Sequence, residues 1–315
     1  MAGILLLPGR SSADKPAVLD KPAPENVADL KAIQKQVKEV LEKVVPATVG
    51  VRIGSSSGSG VIISKDGYVL TAGHVSGNPN RDVTVIFADG KTVKGKTLGG
   101  NHGVDSGLIK ITEEGEWPSV EMGKSADVKK GEWCLAVGHP GGFVKGRTPP
   151  VRLGRILAVT DRLIRTDCTL VGGDSGGPLF DLDGKVIGIH SRIGNSITDN
   201  VHVPVDAYRD GWDRMVKAEV WGVSSQNPNG AYMGVQTDPD NKECLIVGVG
   251  KDTPAEKAGF KAQDVVTRFD GKKIRNADEL IEAVKQKKPG DEVSVEVRRG
   301  DEFMTLKVTL AKRGG

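Results

Sequence analysis

The chain of 315 residues carries a net charge of only +3, with no block where Lys and Arg gather, so a nucleic-acid partner is set aside. No apolar run reaches the ~18 residues of a membrane-spanning helix, and the length suits two domains. With 42 glycines and few aromatics, the composition favours a mainly β chain of short strands.

Residues 1–8 are apolar but too short for a full export signal, and no basic residue precedes them. Residues 11–25 are rich in Pro, Ala, Asp and Lys, so 1–25 reads as a flexible arm or the remnant of an export signal. Val27, Leu30, Ile33, Val37, Val40, Leu41 and Val44 recur at helical spacing, with Asn26 to cap the helix and Pro46 to stop it. From Val49 the period falls to two. Residues 49–53 and 60–64 read as strands separated by a flexible turn at 54–60, and strands at 83–87, 92–98 and 107–111 follow.

A second set of strands begins near Gly131, with 133–137, a strand pair across 151–159, and apolar runs at 164–171 and 185–189. A helix over 206–220 is expected to close this set, and 221–230 is linker by composition. Residues 231–315 form a separate small unit with strands at 245–249, 264–272, 292–298 and 303–310. It also holds a capped short helix at 253–259 and a helix from Asn276, where Glu279 completes a capping box.

Three cysteines cannot all pair within the chain. Cys134 and Cys168 lie in apolar strand-like runs and read as buried thiols, although spacing leaves a bridge between them open. No Cys/His set has zinc-site spacing, so neither metal nor cofactor is expected.

Residues 172–178 read Gly-Gly-Asp-Ser-Gly-Gly-Pro, one serine ringed by glycines between two apolar runs. Glycine opens torsions closed to other residues and lets a substrate approach the backbone. Both are wanted where a serine oxygen attacks a carbonyl while N–H groups face the oxyanion that forms. Serine also needs a base, and the base an orienting group. Upstream, a strand runs into Thr71-Ala72-Gly73-His74-Val75, and Asp105 stands at the mouth of the apolar strand 107–111. The order His, Asp, Ser is that of chymotrypsin-like double barrels. His102, His139, His190 and His202 lack the Thr-Ala-x-His-Val setting and are set aside as the base.

These three blocks resemble those of the HtrA (DegP-like) serine proteases, and the resemblance runs from about Val44 to about Leu310. It departs at Asp174 and at His139, where the family usually carries Asn. It implies a mainly β architecture: a chymotrypsin-like double β-barrel over 26–220, including the N-terminal helix, then a small α+β PDZ domain at 231–315. It further implies a serine endopeptidase that degrades misfolded or unfolded proteins in the cell envelope, periplasmic or secreted. Related proteases build trimers through aromatic residues of the N-terminal segment, which this chain lacks before Tyr68; a homo-trimer or larger assembly is still the expectation.

The resemblance assigns catalysis to His74, Asp105 and Ser175, and the oxyanion hole to the backbone of Gly173, Asp174 and Ser175. Pocket walls would come from Thr169, Leu170 and Val171 before the loop and from His190, Ser191 and Arg192 after it. No acid stands at the pocket floor, so small or medium apolar residues are the expected preference. Asp167 is expected to serve a structural hydrogen bond.

In the C-terminal unit, Tyr232-Met233-Gly234-Val235 matches the PDZ loop that receives a peptide's C-terminal carboxylate, the peptide adding as a strand. Gln263 replaces a Gly common before Asp264, which would distort that turn. A different class stays open: a chaperone or binding protein with a dormant protease site.

Overall fold

The computed structural model describes residues 16–194, 199–222, 230–238 and 241–312. The chain divides into two compact units between Gly222 and Val223. The linker expected at 221–230 falls largely outside the described residues, as does most of the expected arm. Residues 16–25 are no free arm. A 3-10 turn at Ala17–Asp20 buries Val18, and the Arg155 guanidinium donates to the carbonyls of Lys21 and Pro22 at 3.1 and 2.9 Å.

Helix α1 (Val27–Val44) begins where the Asn26 side chain accepts the Asp29 N–H, and it buries Ile33, Val40 and Val44. Val27 and Leu30, on the same expected stripe, are exposed. Six strands then close a first barrel: β1 (Thr48–Ile53), β2 (Ser56–Ile62), β3 (Tyr68–Ala72), β4 (Asp82–Ile86), β5 (Thr92–Asn101) and β6 (Ser106–Ile111), in the ring order β5-β4-β1-β2-β3-β6. The short helix α2 (Gly73–Ser76) follows β3 directly.

The Gly/Ser stretch expected to be a turn is mostly strand. Val51 pairs with Gly58 and Val49 with Gly60. Its glycines serve close approach: a Cβ at Gly58 would stand 3.0 Å from the Ser175 carbonyl oxygen, and one at Gly60 would stand 2.8 Å from a Val69 methyl.

A second closed barrel joins β7 (Trp133–Val137), β8 (Val151–Val159), β9 (Ile164–Thr166), β10 (Pro178–Phe180), β11 (Val186–Ile193) and β12 (Asn200–Pro204). Residues 151–159 are one strand, not two. Leu70 and Leu108 of the first barrel share a single apolar cluster with Leu135, Phe180 and Ile189 of the second, burying the seam between them. The Sγ atoms of Cys134 and Cys168 lie 3.8 Å apart as free thiols inside the second barrel. Asp167 accepts the Arg155 N–H at 2.6 Å.

The helix expected over 206–220 breaks at Gly211 into α3 (Asp206–Asp210) and α4 (Trp212–Val216), and Gly211 itself lies so close to the Trp221 ring that a Cβ there would stand 2.8 Å from it. The chain then adds β13 (Val220–Trp221) in parallel to β5, so it returns to the first barrel instead of closing the second.

In the C-terminal unit, β14 (Ala231–Tyr232) pairs with β21 (Ala311–Lys312). A second sheet runs β15 (Val235–Thr237), β16 (Cys244–Val249), β17 (Val265–Phe269), β19 (Glu292–Arg299) and β20 (Glu302–Thr309), with β18 (Lys272–Lys273) beside β17. Helices α5 (Pro254–Lys257) and α6 (Ala277–Lys285) are capped by Thr253 and Asn276.

The Gln263 turn is kept rather than lost. Gln263 adopts φ +74°, and its N–H donates to the Ile246 carbonyl at 2.8 Å. An exposed L-residue held there costs about 1 kcal/mol that glycine avoids. Gln263→Gly should therefore raise the melting temperature of the C-terminal unit by a few degrees, read by thermal denaturation; an unchanged or lower midpoint would contradict the strain argument.

Candidate active site

His74 sits in the first turn off β3, where Gly73 holds the backbone against the Asp105 loop. The Gly73 N–H donates to the Asp105 carbonyl at 2.8 Å, and a Cβ on Gly73 would stand 3.1 Å from that carbonyl carbon. Asp105 adopts φ +66°, a left-handed conformation that Asp tolerates better than most residues. This kink turns its carboxylate onto His74. Oδ1 accepts the His74 backbone N–H at 2.8 Å, and the ring Nδ1 lies 3.1 and 2.9 Å from Oδ1 and Oδ2. Facing an acceptor-only carboxylate, Nδ1 carries the proton and Nε2 keeps its lone pair.

Ser191 of the second barrel donates its hydroxyl to Asp105 Oδ2 at 2.5 Å. Burial pushes the Asp105 carboxyl upward. The His74 ring, the Ser191 hydroxyl and the His74 amide outweigh it and hold the group below its ordinary value.

The loop carrying Ser175 is tied to both barrels. The Ser175 carbonyl accepts the Ser59 N–H at 2.8 Å. The Ser59 hydroxyl donates to the Gly173 carbonyl at 2.9 Å and accepts from the His139 N–H at 2.9 Å. Gly173 and Gly176 have φ +95° and +86°. A Cβ on Gly173 would stand 2.6 Å from the Gly141 nitrogen, and one on Gly176 2.2 Å from the Ser59 carbonyl oxygen.

Among the described residues the N–H groups of Gly173 and Ser175 have no hydrogen-bond partner, whereas the Asp174 N–H is taken by the Val171 carbonyl at 3.1 Å. Of the three amides expected at an oxyanion hole, that of Asp174 is occupied in closing the turn, and those of Gly173 and Ser175 are available. Ser175 and His74 share a cleft of about 180 Å³ with Ser56, Ser57, Val75 and Gly173. No hydrogen bond joins Ser175 Oγ to the His74 ring, a separation common in unliganded sites.

The six expected pocket residues divide. Thr169, Val171 and Arg192 are exposed, and none of the six lines this cleft. Leu170 is packed into the second barrel's core, so it is no pocket wall. Ser191 is committed to Asp105. His190 is fully buried in a chain of bonds: its Nδ1 lies 2.9 Å from His202 Nδ1, its Nε2 3.2 Å from the Val137 carbonyl, and His202 Nε2 2.8 Å from Thr166 Oγ1. Burial keeps both rings neutral. It lowers the His202 pKa to about 3 and takes His190 well below its ordinary range, where repulsion between two protonated rings and the Arg152 guanidinium also disfavour a charge on His190. Burial also lowers His139 to about 4.

Sequence reading missed Ser59, Tyr208, whose hydroxyl donates to the Thr71 carbonyl at 2.7 Å, and Arg152. None has a local pattern around it; each acts across more than ten residues of sequence.

In the C-terminal unit, the Met233 side chain is buried in the core, and its carbonyl accepts the Ala255 N–H. Gly234 has φ +92°, and a Cβ there would overlap Thr253 at 2.2 Å. Tyr232 ends β14 and Val235 opens β15, which lies at the edge of its sheet. Among the described residues, no His/Cys/Asp/Glu group stands together as a metal site, and no helix is long and apolar enough to cross a membrane.

Comparison with known proteins finds a trypsin-like peptidase domain at 58–189 and a PDZ domain at 231–310. The probable periplasmic serine endoprotease DegP-like of Pseudomonas fulva (strain 12-X) is 32% identical over 312 residues, covering 90% of this chain and 63% of the relative. Serine protease HTRA1 of Xenopus tropicalis is 30% identical, covering 87% and 66%. The structure of HtrA-type protease AlgW with decapeptide shares the fold, with a TM-score of 0.53 at 22% identity over 88% of this chain and 99% of that one. The chain spans about three fifths of the length of the first curated relatives it matches.

The Ser191 hydroxyl is one of three donors on the half-buried Asp105 carboxylate, and a hydrogen bond to a charged group contributes about 1.5–3 kcal/mol. Ser191→Ala should lower kcat/KM on a casein-derived peptide by about tenfold, mostly in kcat, while Ser191→Thr keeps most of it. Equal loss in both variants would assign Ser191 to packing alone.

Proposed function

The chain belongs to the HtrA/DegP-like trypsin-fold serine proteases, with one C-terminal PDZ domain, and from that premise we propose that it is a serine endopeptidase acting on misfolded or unfolded proteins in the periplasm or outside the cell. The observation that carries the proposal is one cleft holding Ser175, two N–H groups unpartnered among the described residues and a histidine whose Nδ1 is bound to the half-buried Asp105 carboxylate.

In this reading Ser175 Oγ attacks the peptide carbonyl while His74 Nε2 takes its proton. The proton later passes to the leaving amine, and water repeats the cycle to release the acyl group. Asp105 fixes the ring's tautomer and stabilises its cation without taking the proton. The N–H groups of Gly173 and Ser175 receive the oxyanion; one such donor accounts for about 10²–10³ in kcat. The C-terminal unit binds peptide C-termini, with the loop at 232–235 taking the carboxylate and the peptide extending the β15 edge. The same reading includes a homo-trimer or larger, which solution mass decides.

A second reading, a chaperone whose protease site is dormant, is equally compatible with the missing Ser175–His74 hydrogen bond. A fluorophosphonate probe separates the two. The protease reading expects labelling that vanishes in Ser175→Ala and falls by at least about a thousandfold in His74→Ala. No labelling, with casein aggregation still suppressed, would establish the chaperone instead. For the C-terminal unit, a peptide with a free apolar C-terminus should bind, and its C-terminal amide should bind at least about tenfold more weakly. Equal binding would remove the carboxylate loop from the proposal.

A further inference from the structure

Resting on the hydrolase reading above, we infer that Arg152 is a positioning residue for the nucleophile loop, its guanidinium clamping the Asp174 carboxylate so that the N–H groups of Gly173 and Ser175 stay free for the oxyanion. The Asp174 side chain is almost wholly buried, at 1% exposure, directly beside the nucleophile. A carboxylate so placed is costly unless it is paired and hydrogen-bonded.

Arg152 supplies the pairing with both ends of its fork: Nη1 donates to Oδ1 at 3.1 Å, and Nη2 lies 2.9 Å from Oδ2. Oδ2 also accepts the Val171 N–H at 3.0 Å, and the Asp174 N–H returns to the Val171 carbonyl. The turn is thus closed on itself by two bonds, one of them made by the clamped carboxylate. Gly173, inside that turn, is held at φ +95° with its N–H unused.

The carboxylate has no alternative seat. A Cβ on Gly138 would lie 2.6 Å from Asp174 Oδ1, so the anion is pressed directly on the backbone of the strand-end residue. Arg152 reaches it from the start of β8, where backbone pairing with Ala136 fixes its origin. Without the guanidinium, the carboxylate must move toward water, and the turn that orients Gly173 moves with it. Arg152 touches no reacting atom; it acts through Asp174.

The test compares Arg152→Met, Asp174→Asn and the double variant in the full chain. Removing one partner of a buried pair is strongly destabilising, whereas replacing both is tolerated. Arg152→Met should lower kcat for casein by about 100-fold with KM within about threefold. The double variant should recover to within about tenfold of the parent, since an amide at 174 accepts the Val171 N–H without a counter-charge. A kcat for Arg152→Met within about threefold of the parent, or a double variant no faster than Arg152→Met, would overturn the inference.

Should Arg152→Met not fold, Arg152→Lys takes its place. The charge stays but the fork is lost, and kcat should fall by about tenfold; unchanged kcat overturns the inference. If the parent itself takes no fluorophosphonate label, the hydrolase reading has failed, and the clamp is judged by hydrogen exchange. The Val171 amide should exchange at least about tenfold faster in Arg152→Met or Arg152→Lys than in the parent. Equal rates would sink the clamp on its own terms.

Discussion

The Asp105 carboxylate is where the two barrels agree on a single geometry. Its residue and its His74 partner hang from the first barrel, and its third donor, Ser191, is on β11 of the second. A displacement of either barrel would break a hydrogen bond to a half-buried anion, which costs more than losing one between neutral groups. The histidine is therefore fixed by the relation between two rigid bodies and not by its own four-residue helix, too short to hold an orientation alone.

The nucleophile loop follows the same logic with backbone instead of charge. Ser59, on a strand of the first barrel, reaches both sides of Ser175 through its N–H and its hydroxyl. This approach is close enough that Gly58, Gly60 and Gly176 leave no room for a side chain. Thr71 closes the relay by donating to the Ser59 carbonyl at 2.8 Å, three residues before His74. Histidine and serine are thus referenced to one β2–β3 hairpin, so their spacing does not depend on the long segment of chain between them. Loops supported in this way can carry chemistry because the scaffold, not the loop, sets position.

Much of this was legible in the sequence, and the reason is locality. The Thr-Ala-Gly-His-Val, Val-Asp-Ser-Gly and Gly-Asp-Ser-Gly-Gly-Pro blocks each hold a functional residue together with the small neighbours its backbone needs. Period-two runs likewise announced most strands, and Asn26 and Asn276 announced helix starts. What failed was non-local. The Gly/Ser run at 54–60 was read as flexible because glycine signals turns, yet Gly58 answers to Ser175 and Val75 and Gly60 to Val69 of the neighbouring strand. The helix over 206–220 is interrupted at Gly211, which packs against the Trp221 ring, a contact no propensity reports. The pocket assignment followed chain proximity to the serine, whereas Leu170 and His190 are claimed by the second barrel's interior and Ser191 by Asp105.

Two carboxylates flank the candidate nucleophile, Asp174 buried and Asp105 half-buried, and they are neutralised in opposite ways. Asp174 has a permanent cation, Arg152, and its charge is spent on holding a turn. Among the described residues Asp105 is met by a hydroxyl, an amide and the His74 ring, with no arginine or lysine against it. In the proposed mechanism its charge is left to be met by the imidazolium that forms when His74 takes a proton. An arginine on Asp105 would have consumed that attraction in the resting state, and a purely neutral environment for Asp174 would have left a buried anion seeking water beside the serine. The neutral His190–His202 pair behind the loop adds bonds without adding a third charge. The division of labour between a satisfied carboxylate and an unsatisfied one is what lets the same small region be rigid and reactive.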